Sequence, residues 1–329
     1  MSNHPGLAAR RTLGGLAAAL LAGAAFTTHA QNYPARTLRV ISPFAPGGSN
    51  DVVARLISSR LSEALGQSVI VDNRPGATGT VGTDYVAKAA PAGYTLLVAG
   101  RGPIAAAHLM NPPPPYVSAR DLAPISNLVS WPYILVAHPS VPARNAQELI
   151  AIAKAKPGVL NMVSGGAGSG QHIAGELFNM LAGTRMTHIP YKGTAPAITD
   201  LMGGHADLGF LDPAVLPQIL SGRLKALGVS GDTVYPPLPA VPPISQTGLP
   251  AFVTLTWYGL FTSAGTPREI INRLNAETVR ALAQPDVKAK LLTQGLIATS
   301  STPEHLAADI RADNERLTKL VKATGIQFN

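Results

Sequence analysis

From residue 31 onward the chain alternates short, unbroken apolar runs with longer segments whose apolar residues return at helical spacing. The runs predict strands at 37–44, 68–73, 94–100, 133–138, 160–164, 184–191, 206–211, 224–230 and 256–262. Over 50–65, Val52, Val53, Leu56, Ile57, Leu61 and Leu65 share one helix face, with Ser49 or Asn50 as the cap and Gly66 as the stop. Segment 145–155 repeats the pattern with Leu149, Ile150 and Ile152, and Pro157-Gly158 ends it. Helices are also predicted over 170–182, 194–203, 213–221, 267–283, 285–294 and 303–324. Such alternation, with wholly apolar strands, predicts an α/β fold whose sheets are mostly parallel and covered by helices on both faces.

Residues 139–250 read as a self-contained α/β unit, whereas 266–329 is helical and has no strands of its own to cover. The C-terminal helices are therefore expected to pack back on the first unit. The chain then crosses between units twice, near Trp131-Tyr133 and near Leu255-Tyr258. This predicts two domains, 31–131 plus 258–329 and 132–257, with a hinged cleft between them as the ligand site. The four prolines at 112–115 read as a stiff surface loop.

The first 30 residues stand outside this pattern. Arg10 and Arg11 precede an uncharged Ala/Leu/Gly stretch, and Thr28-His29-Ala30 has the small residues of a cleavage site. This predicts a secretory signal peptide and a mature, periplasmic chain starting at Gln31. The apolar stretch is shorter than the ~20 residues a membrane span needs. The chain has no cysteine, which excludes disulfides, thiol catalysis and cysteine-based metal sites. Its net charge is +8, or about +6 without the two arginines of the leader. The basic residues are scattered, with no stripe interleaved with aromatics, so nucleic acid is not an expected partner.

Two strand-to-helix junctions are rich in glycine: Pro43-Phe44-Ala45-Pro46-Gly47-Gly48-Ser49-Asn50-Asp51 and Ser164-Gly165-Gly166-Ala167-Gly168-Ser169-Gly170-Gln171-His172. A helix start presents unpaired N–H groups and a partial positive charge, and glycine lets an anion approach them. Either junction alone could be a tight turn; two, one in each half, favour a clamp. Gly47, Gly48 and Ser49, with Ser164, Gly166, Gly168 and Ser169, offer neutral donors suited to a carboxylate. Neither loop fits the nucleophile-elbow, phosphate-loop or dinucleotide spacing, because no Gly-x-Ser-x-Gly, Gly-Lys-Ser/Thr or Gly-x-Gly-x-x-Gly is complete. No cofactor is expected, and no metal either: His172 and Glu176 stand four apart, without a denser cluster. His172 either packs beside its loop or touches ligand. Arg101 is a charge partner for a ligand carboxylate or a solvated loop arginine. Asp212 could hold a ligand amine, order water or cap the helix that begins at Pro213. Tyr191-Lys192-Gly193-Thr194 follows a strand and caps a helix, and 72–82 either lines the cleft or makes a stiff turn.

The sequence resembles the Bug family, the periplasmic receptors of tripartite tricarboxylate transporters. The resemblance is carried by Pro43-Phe44-Ala45-Pro46-Gly47-Gly48 with Asp51, Asn73-Arg74-Pro75-Gly76-Ala77, 164–169 with His172, Glu176-Leu177-Phe178, Pro190-Tyr191-Lys192-Gly193, Asp200-Leu201-Met202-Gly203-Gly204 and Trp257-Tyr258-Gly259-Leu260, in order along the mature chain. It implies a two-domain Venus-flytrap fold of the type II-like periplasmic-binding-protein class. It also implies that the two loops clamp a small carboxylate through amides, hydroxyls and water, with Asp51 ordering the first loop. Together these readings set the candidate site as Phe44, Gly47, Gly48, Ser49, Asp51, Arg101, Ser164, Gly166, Gly168, Ser169, His172, Tyr191 and Asp212. The expected function is a non-catalytic, monomeric receptor that delivers a small organic acid to membrane transporter subunits. The competing readings are an exported hydrolase or other enzyme using the same cleft, and a sensor feeding a signalling partner.

Overall fold

The computed structural model describes residues 33–191 and 193–325. The leader read at 1–30 and Lys192 lie outside the described residues. Met1–Arg36 is a separate unit whose described part, 33–36, holds no helix or strand; the fold is that of Thr37–Asn329.

The first stretch of that unit runs β1 (Leu38–Ser42), α1 (Ser49–Leu65), β2 (Val69–Asn73), α2 (Thr80–Ala87), β3 (Thr95–Gly100), α3 (Arg101–Ala105), α4 (Ser118–Asp121) and β4 (Leu122–Pro132). The middle follows as β5 (Ile134–Ala137), α5 (Ala146–Ala155), β6 (Asn161–Ser164), α6 (Gly170–Ala182), β7 (Thr187–Pro190), α7 (Thr194–Met202), β8 (Leu208–Leu211), α8 (Leu216–Leu220) and β9 (Lys225–Val229). The chain closes with β10 (Leu255–Ser263), α9 (Arg268–Ala283), α10 (Pro285–Thr293), β11 (Ile297–Ala298) and α11 (Pro303–Thr324). Two sheets result, in the orders β11-β4-β10-β3-β1-β2 and β7-β6-β8-β5-β9. Among the described residues no helix is long and apolar enough to cross a membrane.

The sheets are mixed, which corrects the expectation that they are mostly parallel. Parallel pairing is confined to β1 with β2 and β3, and to β6 with β7 and β8. Those strands are linked by helical crossovers, which parallel pairing requires. Strands β4 and β10 belong to the first sheet while β5 and β9 belong to the second, so the chain changes sheet at Tyr133 and again before Leu255. A strand returning from another sheet is not bound by a crossover. Accordingly β10 inserts antiparallel to both β3 and β4, and β5 is antiparallel to β8 and β9. Strand β4 has no counterpart in the sequence reading. Its Pro124, Ser126, Asn127 and Ser130 interrupt the apolar run, and two register shifts against β10 break the period-2 alternation.

The second sheet closes on Phe178, Phe210 and Phe252, whose ring centroids lie 5.4–5.6 Å apart. Each is fully buried and contributes about 1.5–3 kcal/mol by burial. On the first sheet, Leu306, Ile310, Leu317 and Leu320 of α11 pack against Ile41, Leu97, Trp257 and Phe261.

Arg101 is neither in a loop nor solvated: it opens α3, with its side chain only 4% exposed. Its guanidinium donates to Asp313 of α11 at 3.1 and 3.2 Å, to Thr254 Oγ1 at 3.1 Å and to the Leu255 carbonyl. The Trp257 indole N–H also donates to Asp313, at 2.9 Å. One buried ion pair therefore ties together α3, α11 and the start of β10. Removing one partner leaves a buried charge uncompensated. Asp313→Ala is expected to cost about 3–5 kcal/mol in urea denaturation, and Arg101→Met with Asp313→Leu to recover most of it. Equal losses in the single and double variants would mean that the charge pairing is immaterial.

Candidate functional site

The first glycine loop is held from behind by charge. The Asp51 carboxylate accepts from the Gly47 amide at 3.0 Å, Arg55 Nε at 2.9 Å and Asn73 Nδ2 at 2.9 Å. Burial alone would raise its pKa, but these three hydrogen bonds outweigh that and hold it below the ordinary carboxylate value. The Asn73 amide also reaches the Phe44 carbonyl, at 3.2 Å. The 72–82 cluster supports the same loop: a Cβ on Gly82 would stand 2.9 Å from Pro43, and one on Gly79 would stand 3.1 Å from the Phe44 ring. The Phe44 ring is thus turned toward that support.

Neither Ser49 nor Asn50 caps α1. The capping position belongs to Gly48, with no side chain on the helix end. Asn50 is buried, accepting from Ser42 Oγ at 2.8 Å and donating to the Val98 carbonyl at 3.0 Å. This fixes the first turn of α1 on the sheet and leaves its N–H groups without a side-chain partner.

The second loop is held by neutral groups. The Gly166 amide donates to Ser164 Oγ at 3.1 Å, that hydroxyl donates to the Gly166 carbonyl at 3.0 Å, and the Gly168 amide donates to His172 Nδ1 at 3.1 Å. Ser169 Oγ caps α6 by accepting from the His172 amide at 3.3 Å. The Gly166 and Gly168 amides and the Ser164 hydroxyl, expected to face a ligand, are therefore taken up inside the loop. The N–H groups of Gly170 and Gln171, in the first turn of α6, have no intrahelical partner.

Behind this loop His172 and His188 stack at 3.8 Å between centroids and 8° between planes. His188 Nε2 lies 2.6 Å from Ser164 Oγ. Which of the two atoms donates follows from the imidazole tautomer. Burial pushes both imidazoles down to about 4, with His188 adding repulsion at His172. A serine–histidine pair thus exists that no sequence spacing disclosed. Ser164 is fully buried, and its hydroxyl is engaged by Gly166 and His188.

Asp212 follows β8, and its Oδ1 accepts from the Ala214 amide at 3.1 Å, the capping role anticipated for it. Its Oδ2 accepts from Thr194 Oγ1 at 2.9 Å and Gln171 Nε2 at 3.1 Å. Burial raises its pKa. Tyr191 is not drawn into this group: its hydroxyl donates to Asp200 at 2.6 Å. Arg101 is likewise committed to Asp313.

Both helix ends meet an aromatic floor formed by Trp131 of β4, Tyr258 of β10 and Tyr133, which links β4 to β5. Ser49 Oγ lies 3.1 Å from the Tyr258 hydroxyl. The Tyr258 ring lies 4.7 Å from the Trp131 ring, tilted by 60°. A Cβ on Gly170 would stand 1.8 Å from the Tyr133 hydroxyl, so a side chain there would require the Tyr133 ring to move. Trp131, Tyr133 and Tyr258 were readable as crossing points but not as site residues. Among the described residues no group of three His, Asp or Glu could hold a metal ion.

The family model for the tripartite tricarboxylate transporter family receptor matches residues 53–326. Protein BugT of Bordetella pertussis is 38% identical over 310 residues, 93% of this chain and 95% of BugT. A solved R. palustris protein with adipate is 32% identical, with a TM-score of 0.82 over 90% of this chain and 99% of that one. The periplasmic binding protein BugD is 31% identical, with a TM-score of 0.80 over 90% of this chain and 99% of its own.

The histidine pair gives the fold a pH signature. As pH falls through the ordinary 6.5, the unfolded chain takes up protons that the folded chain refuses until about 4. Stability contributed by the neutral pair therefore declines from 6.5 toward 4. His188→Phe keeps a ring for the stack and removes one of the two sites. Its melting temperature should fall less steeply across this window than that of the wild type, whose carboxylates titrate alike. Parallel curves would show that His188 is not held neutral.

Proposed function

We propose that this chain, which belongs to the tripartite tricarboxylate transporter receptor family, is an exported receptor that captures a small organic carboxylate and hands it to a membrane transporter. The family is one of solute receptors, not of enzymes. One observation carries the reading most directly: the starts of α1 and α6, anchored in different sheets, abut one aromatic floor through the Ser49–Tyr258 and Gly170–Tyr133 approaches. Helix starts aimed at one space form a cradle for negative charge. The adipate held by the R. palustris relative is a small carboxylate of the kind such a cradle suits.

On this reading 31–131 plus 258–329 is one jaw and 132–257 the other. Ligand binding shifts an equilibrium between open and closed jaws. The donors reaching the ligand are the first-turn amides of α1 and α6, the Ser49 hydroxyl and the floor phenols. Gly47, Asp51, Ser164, Gly166, Gly168, Ser169 and His172 hold the loops in shape. The mature chain, freed of its leader, works in the periplasm, where BugD is found.

The purified mature chain should melt at a higher temperature with at least one member of a panel of mono-, di- and tricarboxylates and aromatic acids. No shift with any of them would sink the reading. Gly48 is exposed at φ −80°, a conformation open to any residue. Gly48→Val, at the capping position of α1, should therefore lower the melting temperature by only about 2–4 °C while weakening binding by at least about tenfold. Unchanged affinity would place the ligand elsewhere.

A further inference from the structure

Asp212 stands at the carboxyl edge of the second sheet, hydrogen-bonded to Gln171 in the first turn of α6. It ends β8, which pairs in parallel with β6, so it lies beside the loop that starts α6. Its three hydrogen bonds come from neutral donors, and among the described residues no arginine, lysine or histidine is in ion-pair contact with it. The arginine whose field reaches this floor, Arg101, is neutralised by Asp313. Gln171, which donates to Asp212, directly follows Gly170, whose backbone meets the Tyr133 hydroxyl, so Asp212 stands beside the start of α6 where that helix meets the floor. Oδ1 carries a single hydrogen bond and retains an open acceptor position.

A half-buried carboxylate with only neutral partners is relieved by a proton or by a cation, and a ligand ammonium supplies the latter. It also repels a second ligand carboxylate. The cleft is thus polar from end to end: a positive helix start with Ser49 at one side, and a negative group at the other. We propose that Asp212 sets specificity by receiving a protonated amine of the ligand while the α1 end holds a carboxylate, so that the preferred ligands are amino-carboxylates rather than plain dicarboxylates. This rests on the reading of the cleft as a carboxylate receptor.

Titration calorimetry on the mature chain with matched probes tests it: aspartate against succinate and malate, and glutamate against glutarate. The amine-bearing member of each set should bind at least about tenfold tighter. Asp212→Asn, nearly the same shape, should abolish that preference. Lys192→Met, two residues from Thr194, should leave it intact. Equal or tighter binding of succinate and glutarate would overturn the role of Asp212 and leave the receptor reading standing. So would malate matching aspartate, since a hydroxyl would then suffice, and so would a preference that follows Lys192 instead. If none of the five acids binds while other carboxylates do, the amine assignment falls. If no carboxylate binds at all, the receptor reading falls with it. Should Asp212→Asn fail to fold, the wild-type comparison decides alone.

Discussion

Strand β10 enters the first sheet at Leu255, and the entry point is fixed by the buried pairing of Arg101 with Asp313. Both charges are out of water, so the pairing is tolerable only while each donor and acceptor is matched. The guanidinium meets that condition by reaching Thr254 and the Leu255 carbonyl as well as Asp313, and the carboxylate by also accepting from Trp257. The residues so held lie immediately before Tyr258 in the strand. The height at which its hydroxyl meets Ser49 is therefore set by the ion pair that holds the start of the strand. The floor and the start of α1 take their register from that pair, and the close approach of Tyr133 to Gly170 carries it to the second loop.

The two loops solve one problem by different physics. In the first, Asp51, Arg55 and Asn73 stand behind the backbone, and a charged network leaves the helix end uncapped and facing outward. In the second, Ser164, Ser169, His172 and His188 form a neutral, buried lattice that consumes most of the loop's own donors. A rigid loop of that kind defines shape more than charge. The electrostatics on that side are left to Asp212, which sits among neutral donors.

The sequence was most legible where the chain signals locally. The ends of α1 and α6 are marked by Gly66 and Gly183 in left-handed conformations, and the start of α11 by Thr302 and Pro303. Both glycine junctions announce themselves within nine residues. What stayed hidden depends on partners far apart in the chain. Arg101 could not be assigned because Asp313 lies 212 positions away. Ser164 and His188 meet only because β6 and β7 pair in register, Met162 opposite His188. Whether β10 would insert parallel or antiparallel is not written in its own residues, since that follows from which sheet the chain comes from. Trp131, Tyr133 and Tyr258 form a floor only once that choice is made.

The absence of a side chain at position 170 carries a consequence for redesign of the cleft. The Tyr133 hydroxyl fills the space that a Cβ there would occupy, at 1.8 Å. The two positions therefore behave as one variable, although they lie on different elements. A side chain introduced at 170 requires residue 133 to move or shrink first, and the reverse order is sterically open. A library built to retune the cleft is best written with the two codons linked, because varying them independently fills it with chains whose cleft wall collides with itself.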